Sequence, residues 1–245
     1  MTIRIGTSGW VYPHWRGLFY PTELRQQGWF AHYASSFDTV EINNTFYRLP
    51  SAEVFDHWRQ QAPPRFCYAL KASRFLTHLK KLKDPESPLT TFFDRARHLQ
   101  DALGPVLYQL PPHWRFNRER FAAFLAALPS ETTHVVEFRD QSWLCEESFA
   151  LLERHQVAHC LHDMPPLQVP LRITSETVYL RFHGGADYSA DYSPHELERW
   201  AQRLDDWHRQ GLKVYAYFNN DAGAHAVKNA RMLQKLLKLP VAEGK

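Results

Sequence analysis

Eight short apolar runs recur along the chain, at 3–6, 39–43, 66–71, 106–110, 134–139, 157–163, 177–183 and 213–219, and each gives way to polar or charged residues. The ends carry Thr7 and Ser8, Glu41 and Asn43, Lys71, Gln109, Glu137 and Arg139, His162 and Asp163, Arg181 and His183, then Asn219 and Asn220. A strand that serves only a core has no use for a glutamate or an arginine at its end. Eight such ends meet only if the sheet closes on itself. That is the logic of a (β/α)8 barrel, whose site lies at the C-terminal face of its strands.

Helical spacing fills most of the gaps. Pro21, Thr22 and Glu23 open a segment to about Ser35, and Ser51 opens one with Val54, Phe55 and Trp58 on one face. The stretch 88–103 carries Leu89, Phe92, Phe93, Ala96 and Leu99 at helical intervals, and Asn117 is placed to cap a helix to Leu128. Further helices are expected over 146–156 and 194–209, and Asp221 is placed to cap a last one from about Ala222 to Leu237. Strands alternating with helices demand parallel pairing and right-handed crossovers. One gap differs. The stretch 164–176 holds Pro165, Pro166 and Pro170, so the expected TIM-barrel-like fold is irregular, with no regular helix after the sixth strand. No repeat, low-complexity tract or linker interrupts 1–245, which reads as one domain. An open doubly wound sheet is the alternative, but no Gly-x-Gly-x-x-Gly follows the first run.

A formal net charge of +3 is too small to argue a nucleic-acid partner by itself, so any electrostatic case rests on where the charges sit. Cys67, Cys145 and Cys160 are an odd set without Cys-x-x-Cys spacing, which indicates neither a disulfide framework nor a zinc knuckle. Met1 leads directly into a strand, and no apolar stretch approaches the roughly 20 residues that span a bilayer. The expectation is a cytoplasmic protein with no membrane partner, and nothing indicates an obligate protein partner.

Side chains alternate along a strand, so Glu41 shares a face with Asn43, Glu137 with Arg139, and Arg181 with His183. The apolar neighbours suit the helix layer, which turns the charged set into the barrel mouth. Burying those charges unpaired would cost several kcal/mol each. They pair with one another, meet water, or meet a ligand. Glu41 and Glu137 are the catalytic candidates, as two carboxylates across a mouth suit acid–base work of the glycosidase kind, with His183 as a third. The competing account has them neutralise Lys71, Arg139 and Arg181. His162, Asp163 and His183, with Glu137 nearby, are the candidate ligands of a divalent metal, although no His-x-His or His-Glu-x-x-His spacing indicates one. The pair Gly184 and Gly185 is read as close backbone approach to a ligand, and 219–223 lies where barrels often bind phosphate.

Loop aromatics, among them Trp10, Tyr12, Trp15, Phe46, Tyr47, Phe75, Trp114, Trp143, Tyr188 and Tyr192, offer flat platforms for sugar rings or bases, although any single one is as well suited to plugging the loop layer. Beside them the stretch 71–83 gathers Lys71, Arg74, His78, Lys80, Lys81 and Lys83 around Phe75, which fits a phosphate-bearing substrate or a solvated charged segment.

These segments together resemble the YecE-like family, catalogued as domain of unknown function 72. The resemblance rests on Gly6-Thr7-Ser8-Gly9-Trp10 with Tyr12, Trp15, Gly17, Phe19, Tyr20 and Pro21, and on Val40-Glu41-Ile42-Asn43-Asn44-Thr45-Phe46-Tyr47-Arg48-Leu49-Pro50. It continues in Lys71-Ala72 with Arg74-Phe75, Gly104-Pro105 with Gln109-Leu110-Pro111-Pro112, and Glu137-Phe138-Arg139 with Ser142-Trp143. Tyr179-Leu180-Arg181 with His183-Gly184, Tyr217-Phe218-Asn219-Asn220-Asp221 with Gly223, and Asn229-Ala230 complete it. The resemblance covers nearly the whole chain and implies a (β/α)8-like barrel. It brings no established reaction.

The leading functional expectation is an enzyme of hydrolase or lyase type acting on a phosphate-containing ligand: a nucleotide, a nucleic acid or a sugar phosphate. Lys71, Arg139, Arg181 and His183 would bind or polarise phosphate, and Glu41 or Glu137 would serve as base. Asn43, Arg74, Gln109, Trp143, Gly184, Asn219, Asn220, Trp10 and Tyr12 complete the expected binding set. The alternatives are a glycosidase-like hydrolase using Glu41 and Glu137, and a barrel that only captures its ligand.

Overall fold

The computed structural model describes residues 2–185 and 189–239, which leaves Tyr188 outside the described residues. Eight parallel strands form one sheet: β1 (Ile3–Thr7), β2 (Thr39–Ile42), β3 (Cys67–Lys71), β4 (Leu103–Gln109), β5 (His134–Glu137), β6 (Ala158–His162), β7 (Thr177–Phe182) and β8 (Lys213–Phe218). Each strand from β2 to β8 pairs with its sequence neighbour, and β8 returns to β1. Between β1 and β2 a parallel bridge, Ser8 with Glu41, draws the sheet into a nearly closed barrel.

Side chains complete that seam. The Tyr33 hydroxyl accepts from the Thr7 backbone N–H at 3.0 Å and donates to the Thr39 carbonyl at 3.0 Å. Arg4 reaches the Asp38 carbonyl at 2.9 Å and its carboxylate at 2.8 Å. Gly6 is required here, because a Cβ would lie 2.4 Å from the Thr39 carbonyl oxygen. β3 and β4 carry one extra residue on the β4 side, Tyr68 pairing with Leu103 but Leu70 with Val106. That bulge accommodates Pro105, which has no N–H to give a ladder.

The helices are α1 (Trp29–Ala34), the single turn α2 (Asn44–Tyr47), α3 (Ala52–Gln61), α4 (Glu86–Ala96), α5 (Arg118–Ala126), α6 (Glu146–Arg154), α7 (Pro194–Arg209) and α8 (His225–Leu236). α7 starts on a full capping box: Ser193 accepts from the Glu196 N–H, the Glu196 carboxylate accepts from the Ser193 N–H, and Pro194 takes the first turn. Asn117 caps α5 by accepting from the Arg120 N–H at 3.0 Å. No helix joins β6 to β7, as the prolines dictate. Three helical expectations change. The segment from Pro21 forms only a 3-10 turn, Gln26–Gly28, before the α-helix begins at Trp29, whose indole donates back to the Leu24 carbonyl at 3.2 Å and stacks on Tyr20. The stretch expected over 88–103 is α4 followed by a 3-10 turn, broken at Gln100 with φ of 50°. Asp221 caps nothing: its carboxylate accepts from the Trp15 indole at 2.7 Å, and α8 begins only at His225.

The strand alternation separates two apolar layers. Val40, Ile42, Leu70, Val136, Leu180 and Phe218 face the helices, whereas Ala69, Leu107, Val135, Ala158, Cys160, Tyr179 and Tyr217 fill the barrel. Above that filling the same inward face turns polar. Among the described residues no helix is long and apolar enough to cross a membrane.

Candidate functional site

Arg181, at the end of β7, organises the floor of the mouth. Its Nε and Nη2 donate to the Glu41 carboxylate, at 3.0 Å to Oε2 and 2.8 Å to Oε1, and its Nη1 donates to Glu137 Oε2 at 2.8 Å. Glu41 also accepts from Ser8 Oγ at 2.7 Å and the Tyr179 hydroxyl at 2.6 Å. Glu137 accepts from Gln109 Nε2 at 2.8 Å and from Arg139 Nε. Both carboxylates are 0% exposed and Arg181 is 2% exposed. Burial pushes the Glu137 carboxyl up, but Arg139 and Arg181 outweigh it and hold the group well below the usual carboxylate range. A carboxylate so held is a poor proton donor near neutrality. The arrangement is that of a neutralising network rather than of an acid–base pair.

His183 belongs to the same network. Arg139 Nη2 lies 3.2 Å from its Nε2, and the Asn219 amide lies 3.2 Å from its Nδ1. Burial, with Arg181 next, pushes His183 down to about 2, so the ring stays neutral and orients Arg139.

Above this floor lies a cavity of about 550 Å³, lined by Asn43, Lys71, Arg74, Gln109, Arg139, Arg181 and Asn219 from the expected set. Phe46, Tyr47, His78 and Asp221 join the lining. Lys71 is 8% exposed and its Nζ stands 4.2 Å from the centre of the Phe46 ring. Burial and then Arg181 lower its pKa to about 8. Arg74 is exposed at the start of a π-helical turn, Phe75–Leu79. Among the described residues neither Lys71 nor Arg74 is in an ion pair. Asn43 Oδ1 is buried without a hydrogen-bond partner among them. His78, against Phe46 and bonded to Thr77 Oγ1 at 2.9 Å, is pushed down to about 4 by burial and the charges of Lys71 and Arg74.

The sequence matches the family model described as a protein of unknown function, DUF72, over residues 4–244. The chain belongs to the DUF72 family. UPF0759 protein YunF of Bacillus subtilis (strain 168) is 27% identical, over 97% of this chain and 95% of the relative. UPF0759 protein YecE of Escherichia coli (strain K12) is 28% identical, over 98% and 94%. The crystal structure of a DUF72 family protein from Thermotoga maritima MSB8 superposes with a TM-score of 0.86 at 29% identity, over 97% of this chain and all (100%) of that one. One from Enterococcus faecalis V583 gives 0.82 at 21% identity, over 98% and 96%, which speaks to the fold alone. These likenesses make the barrel a shared DUF72 architecture. Their names state no reaction.

Several expected site residues of this DUF72 protein lie elsewhere. Trp143 is fully buried, stacks on Phe138 and donates its indole N–H to the Trp114 carbonyl, so it packs the loop layer. Asn220 is fully buried and donates to the Ala190 carbonyl at 3.0 Å and Asn229 Oδ1 at 2.8 Å, which ties two loops together. Gly184 is tight against the protein's own chain: a Cβ would lie 2.6 Å from the Ala190 carbonyl oxygen, and its N–H donates to the Tyr192 hydroxyl at 2.8 Å. That N–H is therefore not offered to a phosphate. Trp10 packs edge-on to Phe30 and Trp58, and Tyr12 donates to the Ser8 carbonyl at 2.5 Å beside the site.

The metal candidates are also otherwise engaged. His162 Nε2 donates to the Phe138 carbonyl at 2.9 Å, and its Nδ1 accepts from the Met164 N–H at 3.4 Å. Asp163 accepts from the His183 N–H at 2.8 Å and from the Tyr192 hydroxyl. Among the described residues no three His, Cys, Asp or Glu side chains gather as a metal site. Sequence reasoning missed Tyr179 as a partner of Glu41, which strand parity with Arg181 could have found; His78 and Asp221 stand in stretches read as phosphate-facing, and their places on the cavity wall depend on the π turn and on the Trp15 contact. A second cavity, of about 440 Å³ under the proline-rich loop and α7, has a mainly apolar wall of Pro165, Leu167, Val169 and Leu171.

Proposed function

We propose that this barrel is an enzyme that takes a phosphate-containing ligand, such as a nucleotide, a nucleic acid or a sugar phosphate, into the cavity at its mouth. One observation carries the reading: among the described residues Lys71 and Arg74 are in no ion pair, and both line a cavity whose described carboxylates are already engaged. Glu41 and Glu137 are held by Arg181 and Arg139, and Asp221 by Trp15 and His14. The surplus positive charge favours an anion. Asn43 Oδ1, without a hydrogen-bond partner among the described residues, favours a ligand with a hydroxyl or N–H to donate. Tyr47, 71% exposed on the rim, offers a ring face to a base or sugar.

This moves the expected anion away from Arg181 and Gly184 toward Lys71 and Arg74. The glycosidase alternative is less well supported, because its two carboxylates are sealed beneath one guanidinium. Calorimetric titration of inorganic phosphate and a nucleoside monophosphate against wild type and Arg74→Ala tests the reading. Saturable wild-type binding should weaken as salt rises and fall about tenfold in the variant, the worth of one charge-assisted contact. Equal, weak, salt-insensitive binding in both proteins would remove the reading. Binding without turnover of any phosphate ester would leave a capturing barrel.

A further inference from the structure

We propose that Lys71 is a condensing amine, forming a Schiff base with an aldehyde or ketone that also carries a phosphate group. The inference rests on the phosphate reading of the cavity and names the substrate's second functional group.

The placement comes first. Lys71 is the last residue of β3, on the inward face it shares with Ala69, so its side chain rises from the barrel filling into the mouth. A lysine needed only for charge balance would sit on a carboxylate. The two carboxylates nearest in the fold are consumed by Arg181 and Arg139, and Lys71 instead rests its Nζ over the Phe46 ring at 4.2 Å. An aromatic face holds an ammonium loosely and gives it no acceptor atom, so the nitrogen lone pair becomes available on deprotonation.

The surroundings favour that deprotonation. Burial acts first and the Arg181 charge next, with Arg139 adding to them, while Glu137 and Glu41 pull the other way; the balance lies at about 8. Arg74 and the neutral His78, from the same loop, and Asp221, engaged by Trp15 and His14, line the same cavity. At pH 7 roughly a tenth of Lys71 is then free amine, against less than about a thousandth of a solvated lysine. Desolvated lysines beside other cations are the usual carbonyl nucleophiles.

The step balances without an oxidant. The neutral amine attacks the carbonyl carbon, the new C–N bond forms, and the carbonyl oxygen becomes a hydroxyl. That hydroxyl takes a proton and leaves as water, giving a protonated imine. One water is released and no electron is gained or lost. The iminium carries the positive charge that the ammonium carried, so the charge balance of the mouth is kept. Arg74 remains to hold the phosphate.

Pyridoxal 5′-phosphate is a suitable probe because it joins an aldehyde to a phosphate. Wild type is incubated with less than one equivalent, reduced with sodium borohydride and mapped by peptide mass spectrometry, across pH 6 to 10 and with or without inorganic phosphate. We expect Lys71 to be labelled at least tenfold ahead of Lys80, Lys81 and Lys83, with a midpoint near pH 8 and protection by phosphate. Lys71→Arg should lose the label and keep a positive charge for phosphate; if the arginine disturbs the fold by circular dichroism, Lys71→Met should lose the label and bind phosphate more weakly than wild type. Labelling confined to the surface lysines, with phosphate binding intact, overturns the amine and leaves the phosphate reading. Labelling of Lys71 that phosphate neither slows nor competes with keeps the amine and overturns the phosphate reading.

Discussion

Arg181 holds two buried carboxylates with three of its donors, so its removal is the most damaging single change to the mouth. Arg181→Met leaves Glu41 and Glu137 buried without their main counter-charge, and it should cost about 3–5 kcal/mol in urea unfolding. A loss under about 1 kcal/mol would mean that water already shares the site. Titration gives a second prediction. The Glu137 carboxyl is held below its unfolded value, so its contribution is present above about pH 4.3 and is lost as pH falls further. His183 and His159 act higher on the scale, as burial pushes them down to about 2 and about 3. The unfolded chain takes up those protons below about pH 6.5 and the folded chain does not. Lys71, held down to about 8, makes stability fall slightly from pH 8 to 7, and the fall should steepen below about 6.5, by up to about 1.4 kcal/mol per pH unit for each histidine. His159 lies between Phe138 and Phe149, so His159→Leu should make the slope shallower; an unchanged slope would take His159 out of the account. Parity was enough to turn Glu41, Glu137 and Arg181 inward, because a strand leaves each side chain only two directions. The partner of each charge was not legible, since it depends on which strands face one another across the barrel.

At the scale of elements, the seam between β1 and β2 is where the barrel depends on side chains. The Tyr33 hydroxyl serves both strands, and Tyr33→Phe would leave the buried Thr7 N–H and Thr39 C=O without it. That should cost about 1–3 kcal/mol and speed hydrogen exchange at the Thr7 amide more than at the β7–β8 ladder. Equal protection of Thr7 in both proteins would show that the strands pair without the tyrosine. Elements were legible to different depths for physical reasons. Apolar runs between polar ends located every strand. The prolines of 164–176 excluded a helix there, and the Ser193 box located the start of α7. The single Asp221 misled, because an aspartate before a helical stretch looks the same whether it caps its own helix or bonds the indole of Trp15, far away in sequence. Gly184 misled likewise, since a glycine marks close approach without saying to what.

For the whole molecule, the polar network and the apolar filling tie the same strands together. Arg181 of β7 joins Glu41 of β2 to Glu137 of β5 across the barrel axis. Beneath it, Ala69, Leu107, Val135, Ala158, Cys160, Tyr179 and Tyr217 meet from β3 through β8. Opening the sheet at any point would expose that filling and strand at least one carboxylate from its guanidinium. We propose that the chain unfolds as one cooperative unit, because strands β3 through β8 share this filling. Tryptophan emission reports the loop layer through Trp15 and Trp143 and the helix layer through Trp29 and Trp58, all buried, and far-UV circular dichroism reports all helices. The two urea transitions should coincide, and a fragment ending after β6 should show no cooperative transition. If the fragment folds, or the transitions separate, the barrel consists of two units that meet at the mouth, and the network around Arg181 joins them rather than completing one core.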